Sequence, residues 1–100
     1  MKKLLIATLS AGFLFSATTQ AAMDAPAKSN TCVGCHGADG NSMVPNFPKL
    51  AGQHASYLEK ALKDFRDGFR QDATMATFAK GLTDKEIKDL AAYYAAQAPK

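Results

Sequence analysis

In the stretch Thr31-Cys32-Val33-Gly34-Cys35-His36-Gly37, three residues carry chemistry that the rest of the chain has to position: Cys32, Cys35 and His36. Two thiols three positions apart, with an imidazole directly after the second, have the spacing of a c-type haem attachment site. Each thiol can add across one vinyl group of the ring, and the turn between them swings the imidazole beneath it, where a ring nitrogen binds iron. Other chemistries compete for the same residues. A thioredoxin-like dithiol sits at the strand-to-helix junction of a βαβ unit, and no strand pattern is found here. A structural zinc site needs four ligands, and Cys32, Cys35, His36 and His54 stand at a spacing that matches no common finger. A plain disulfide is the ordinary use of two cysteines in a small exported domain. The histidine in register is what a bare cysteine pair lacks.

The start of the chain speaks for export. Met1-Lys2-Lys3, the apolar and small residues 4–17, and Thr18-Thr19-Gln20-Ala21-Ala22 form the basic, apolar and small-residue regions of a secretory signal. The apolar run is short for a membrane span of about 20 residues. Residues 1–21 therefore read as a cleaved signal peptide and 22–100 as one domain; a cut after Ala22 and an uncleaved anchor are the competing readings. Export would place the two thiols outside the reducing cytoplasm, where haem attachment of this kind takes place. Much of the basicity belongs to the signal: 12 Lys plus Arg stand against 9 Asp plus Glu, net +3, and without Lys2 and Lys3 ten stand against nine, net +1. No stripe of Lys and Arg interleaved with aromatics remains, so a nucleic-acid footprint is excluded. Removing 21 of the 100 residues leaves 79, a length whose core is marginal unaided. A covalently held haem would complete that core.

The elements that must hold the motif can be read from capping and periodicity. Asp24-Ala25-Pro26 is a helix start, with a carboxylate to cap free N–H groups and a proline in the first turn, and predicts a short helix over 26–33. Residues 37–53 carry Gly37, Gly40, Pro45, Pro48 and Gly52 among Asp39, Asn41, Ser42 and Asn46, which is loop chemistry. A loop of that length is uncommon in a compact domain unless it wraps something. Tyr57, Leu58, Ala61, Leu62 and Phe65 then predict an amphipathic helix that Gly68 stops. Its opposite face is charged, with Glu59 and Lys63 placed as an i, i+4 pair. Residues 69–80 contain Met75 among small and polar residues and show no helical period, so they read as loop. Thr83-Asp84-Lys85-Glu86 is a capping box, with Leu82 and Ile87 as its hydrophobic staple. Ile87, Leu90, Ala91 and Tyr94 form one apolar stripe, predicting a helix over 84–97.

The order of these features resembles class I cytochrome c. More narrowly, Cys35-His36-Gly37-Ala38-Asp39-Gly40-Asn41-Ser42, Asn46-Phe47-Pro48-Lys49-Leu50-Ala51-Gly52-Gln53 and Asp89-Leu90-Ala91-Ala92-Tyr93-Tyr94 resemble the small bacterial periplasmic monohaem cytochromes that look like one half of a dihaem cytochrome c. The resemblance implies an all-α fold of short helices and loops around one covalently attached haem c. It implies thioethers at Cys32 and Cys35, and His36 as the proximal iron ligand. It also implies that the Pro48 carbonyl accepts the histidine's other ring N–H, that Leu50 packs on the ring, and that Met75 is the sixth ligand. Met43 and His54 are the competitors for that position: Met43 sits seven residues after His36, and His54 enters the middle helix. The chain departs from the family in one place. Residues 22–31 offer neither a glycine nor an aromatic for the usual crossing with the last helix, leaving Tyr93 and Tyr94 to supply its large side.

With both axial positions of the iron filled by protein, one-electron exchange is the chemistry left, and no acid/base pair or nucleophile suggests an enzyme. The expectation is a soluble periplasmic electron carrier in a respiratory chain, monomeric, without membrane insertion after cleavage. Its expected partners are transient redox proteins such as a quinol-oxidising complex and a terminal oxidase or reductase. Lys49, Lys60, Lys63, Arg66 and Arg70 against Glu59, Asp64 and Asp67 suggest a preference for an acidic partner surface. Two alternatives remain: a haem-based sensor or peroxidase-like enzyme with an open sixth site, and a haem subunit held by a larger oxidoreductase.

Overall fold

A computed structural model describes residues 23–100 and the single position Gly12; the signal segment expected over 1–21 otherwise lies outside the described residues. A 3-10 helix over Ala27–Thr31 leads into a four-residue helix α1 (Val33–His36), followed by α2 (Ala55–Asp67), α3 (Ala73–Ala79) and α4 (Asp84–Ala95). No strand occurs among the described residues.

The expected helix over 26–33 is a 3-10 turn instead. Ser29 N–H donates to Pro26 O at 2.9 Å and Cys32 N–H donates to Ser29 O at 2.8 Å, the three-residue spacing of a tighter helix. Ser29, Asn30 and Thr31 are poor α-formers because their side chains compete for backbone groups, and Thr31 Oγ1 donates to Lys28 O at 2.9 Å. This short segment packs on α4. Ser29 is its buried residue, so a serine takes the small-residue side of the crossing for which the sequence offers no glycine. Lys28 Nζ also reaches Glu86 Oε2 at 3.7 Å.

The second difference is α3. Residues 73–79 are helical because Asp72, extended at φ −153° and ψ 117°, caps them: its Oδ1 accepts the Met75 N–H at 2.9 Å. Met75 therefore stands on a helix, not in a loop. The helix is only seven residues long and buries only Ala79 fully, too short a stretch for an apolar period to stand out.

Helix α4 forms as its sequence dictates. Thr83 Oγ1 accepts the Glu86 N–H and Glu86 Oε1 accepts the Thr83 N–H, each at 3.1 Å. Leu82, Ile87, Leu90 and Ala91 are buried, Ile87 with 0% of its surface exposed. The helix ends at Ala95, two residues before the expected Gln97, because its last carbonyls find other partners. Gln97 Nε2 donates to Tyr93 O at 3.0 Å, and the loop residue Gly52 donates its N–H to Tyr94 O at 3.0 Å. Thr83→Ala removes the cap and is expected to lower stability by about 1 kcal/mol, read as a reduced midpoint of denaturant unfolding with unchanged slope.

Helix α2 lies against α4 and α3, burying Leu58 and half-burying Leu62 and Phe65 on the common core. Gly68 ends it in the left-handed conformation at φ 87°. Arg66 ties this end to the start of α4: Nη1 donates to Leu82 O at 3.2 Å and to Asp84 Oδ1 at 2.7 Å, while Nε and Nη2 hold Asp67. The expected Glu59–Lys63 pair forms at 3.0 Å.

Residues 37–53 are loop, as expected, and are pinned at several points. Leu50 N–H donates to Gly40 O at 2.8 Å, and Tyr93 Oη donates to Ala38 O at 3.0 Å. Asn41 clamps the last residues, donating from Nδ2 to Ala98 O at 3.0 Å and accepting the Lys100 N–H on Oδ1 at 2.8 Å. Asp39 adds an ion pair to Lys100 Nζ at 3.2 Å. The Asn41 backbone N–H first, then the Asn41 side chain and Lys100, hold the Asp39 carboxyl down at about 2. A carboxyl depressed in the folded state contributes stability above its ordinary value of 3.8 and loses it as pH falls through about 2. Acid titration across that window is expected to loosen the clamp, and Asp39→Asn should flatten the acid limb of a thermal-stability profile.

Candidate haem site

The loop 37–53, helix α1 and the cavity face of α2, α3 and α4 meet around one cavity of about 270 Å³. Its wall brings together residues far apart in sequence: Cys32, Cys35 and His36 from the motif, Pro48 and Leu50 from the loop, and Met75 from α3. All six residues singled out by sequence therefore converge on one space.

His36 is placed by local backbone geometry. As the last residue of α1, it donates its N–H to Cys32 O at 2.9 Å. Gly37 follows at φ 83°, where a Cβ would stand 2.9 Å from Asn41 O, so the turn needs a glycine. The imidazole is 6% exposed. Its Nδ1 lies 2.8 Å from Pro48 O, and a carbonyl can only accept, so Nδ1 carries the hydrogen and Nε2 keeps its lone pair. The ring edge also meets Phe47, with centroids 6.4 Å apart and planes at 63°. A second bond of this kind fixes tautomer and orientation together.

The other candidates lie elsewhere. Met43 is 97% exposed, and His54 is the exposed residue before α2; neither lines the cavity. Met75 is half-buried and does line it. Cys32 and Cys35 are free and half-buried on the same wall. Among the described residues no group of three or more His, Cys, Asp and Glu side chains converges as a metal cluster.

Three features were beyond sequence reasoning. Arg70 lies on the cavity wall with its guanidinium 4.6 Å from the centre of the Phe65 ring, and donates to Tyr57 Oη at 3.3 Å. Phe47 buttresses the imidazole. Tyr94, 3% exposed, lines the cavity with a buried hydroxyl that has no hydrogen-bond partner. Burial first, and the neighbouring Cys32 sulfur second, push its phenol well above the ordinary tyrosine value. A pair of neighbouring tyrosines in a C-terminal helix signals packing; the orphaned hydroxyl arises only when the chain closes.

The locally positive middle of the chain expected from Lys49, Lys60, Lys63, Arg66 and Arg70 is largely neutralised. Lys60 pairs with Asp64, Lys63 with Glu59, and Arg66 with Asp67 and Asp84, and Lys49 Nζ donates to the Lys100 main-chain oxygen, leaving Arg70 as the one of the five without such a partner among the described residues.

A shell of helices and one wrapping loop around an apolar cavity, with two free thiols, an imidazole whose second nitrogen is unspent, a thioether and an orphaned hydroxyl on its wall, fits a flat apolar ring carrying a metal. It defines a haem-binding domain. The family model for Cytochrome c matches residues 25–96. The chain belongs to that family, and is an electron-transfer protein with covalently bound haem c rather than an enzyme. It is 49% identical over 73 residues to cytochrome c-554(548) of Halomonas halodenitrificans, covering 70% of this chain and 88% of that one. It is 51% identical over 71 residues to cytochrome c4 of Pseudomonas aeruginosa, covering 71% of this chain but 35% of the relative. The solved cytochrome c4 of Acidithiobacillus ferrooxidans aligns at a TM-score of 0.63 and 38% identity, over 68% of this chain and 41% of that one. The chain thus spans well under half the length of these two cytochromes c4.

Proposed function

We propose that this chain is a one-electron carrier of the periplasm serving a respiratory chain, with Cys32 and Cys35 as the haem thioethers and His36 and Met75 as the axial iron ligands. The observation that carries this reading is the shared cavity: His36, locked by Pro48, and Met75, held on α3 by Asp72, face one apolar space. When bound, the haem supplies reversible Fe(III)/Fe(II) exchange. The chain's own residues do the rest. Cys32 and Cys35 would anchor the ring, Pro48 fixes the imidazole tautomer, Leu50 would pack on the ring, and the apolar walls would keep water from the iron and favour the less charged ferrous state.

The test is the optical spectrum of periplasmically produced protein, oxidised and reduced, in wild type and Met75→Ala. Haem that survives denaturation, with a weak long-wavelength ferric band from sulfur on iron that the variant loses, supports the reading. Covalent haem without that band, with rapid carbon monoxide binding by the ferrous protein, turns it toward an open-site sensor or enzyme. Partners are proposed to be transient redox proteins meeting a monomer. Because α2 pairs its own charges and Lys49 is held by the Lys100 main-chain oxygen, steering rests chiefly on Arg70. Electron-exchange rates with an acidic partner are expected to fall only severalfold between low and physiological ionic strength in stopped-flow measurements.

A further inference from the structure

From the geometry we infer that the Tyr94 hydroxyl is a donor reserved for the sulfur of Cys32, and that this hydrogen bond forms once Cys32 has become a thioether. The inference rests on the proposed role of Cys32 as a haem attachment point, and deepens it by naming a residue that tunes the attached ring.

Tyr94 Oη is buried without a partner, and a hydroxyl in that position is ordinarily satisfied. Its ring is held on two sides: Tyr93 packs edge-on with centroids 5.0 Å apart, and a Cβ at Gly40 would stand 2.8 Å from Tyr94 Cδ1. The hydroxyl therefore cannot swing away to water. Tyr94 and Cys32 line the same cavity, and Cys32 is packed against the core cluster that contains Tyr94.

The sulfur itself is loosely engaged. Its contacts are Lys28 O at 3.9 Å, which can only accept, and Thr31 Oγ1 at 3.9 Å. While Cys32 is a thiol, its hydrogen can point to Lys28 O. On attachment the Cys32 sulfur forms a bond to one vinyl carbon and its hydrogen passes to the neighbouring carbon. Nothing is oxidised or reduced overall, and no atom leaves. The sulfur is then an acceptor only, and Tyr94 Oη is a buried donor on the same cavity wall lacking any other partner. An O–H donor on a thioether sulfur draws electron density from the ring to which the sulfur is joined, so Tyr94 favours the ferrous state. Tyr94 is in this sense a positioning and tuning residue, acting through Cys32.

The test uses the haem-loaded full chain in four forms: wild type, Tyr94→Phe, Cys32→Ala and the double variant. Tyr94→Phe deletes only the hydroxyl and keeps the ring packing. Its midpoint potential is expected to fall, displacing the ferric/ferrous ratio at fixed ambient potential by about two- to tenfold, the span of one neutral hydrogen bond. In the Cys32→Ala background the same substitution should leave the ratio unchanged, which a double-mutant cycle reads directly. In the resonance Raman spectrum one of the two thioether carbon–sulfur bands should move in Tyr94→Phe and the other should stay. Equal displacement in both backgrounds would mean that the acceptor is another group and overturns the inference, as does no displacement in either. Cys35→Ala separates the two claims. If haem still resists denaturation in that variant, Cys32 is an attachment point and a silent Tyr94→Phe sinks the inference alone; if haem is lost, the attachment reading and the inference fall together.

Discussion

Met75→Ala is expected to lower the midpoint potential of the haem-loaded protein by a few tenths of a volt, within the roughly 0.8 V that axial ligands command. The size of the effect follows from two contributions in one direction. A thioether is a soft, neutral ligand that favours the ferrous state, and its removal lets water or another hard donor take its place. The side chain is also half-buried on the cavity wall, so truncation opens an apolar space to water. The same variant should bind carbon monoxide rapidly when reduced, whereas wild type should bind it slowly. Stability should change less, because the Met75 backbone and its Asp72 cap at 2.9 Å are untouched. A spectroelectrochemical titration checks the first outcome, and a potential unchanged from wild type would remove Met75 from the coordination sphere.

The second large effect is structural. Gly40 sits at φ 78°, and a Cβ there would meet Tyr94 Cδ1 at 2.8 Å, Ala51 N at 2.9 Å and Leu50 Cβ at 3.3 Å. Two of these atoms belong to groups that cannot retreat: backbone held by the Gly40 carbonyl itself, which accepts from Leu50 and Ala51 at 2.8 and 3.2 Å, and a tyrosine ring closed in by its neighbour. Gly40→Ala combines left-handed strain with overpacking and is expected to lower stability by about 2–5 kcal/mol. For a domain of this size that is a large share of the whole. Thermal unfolding of the haem-loaded variant measures it, with Gly34→Ala as the control, because nothing lies within 4 Å of a Cβ at Gly34.

How much of this was legible in the chain depended on where the deciding interactions lie. The attachment motif and α4 are local: Thr83, Glu86, Leu82 and Ile87 announce a helix start within six residues, and the structure forms the reciprocal cap and buries both apolar residues. Helix α2 follows from its apolar stripe and from Gly68. The loop over 37–53 could be read as a wrapping segment from its glycines and prolines. Helix α3 could not, because its apolar residues Met75, Phe78 and Ala79 span barely more than one turn and the helix is decided by one capping bond from Asp72. The 3-10 turn before Cys32 was equally hidden: Asp24-Ala25-Pro26 imitates a helix start, while Ser29, Asn30 and Thr31 favour a tighter spacing. The neutralised face of α2 and the orphaned Tyr94 hydroxyl depend on partners fixed only by tertiary closure.

The bond from Gly52 N–H to Tyr94 O at 3.0 Å, with that from Tyr93 Oη to Ala38 O at 3.0 Å, joins the wrapping loop to the most deeply buried helix. In the language of hydrogen exchange, loop and helix then belong to one cooperative unit. The Gly52 amide should exchange only when α4 itself opens, while the Lys100 amide on Asn41 frays on its own. A carrier built this way holds its imidazole side as rigidly as its core, so the surroundings of the iron reorganise little when the charge on it changes.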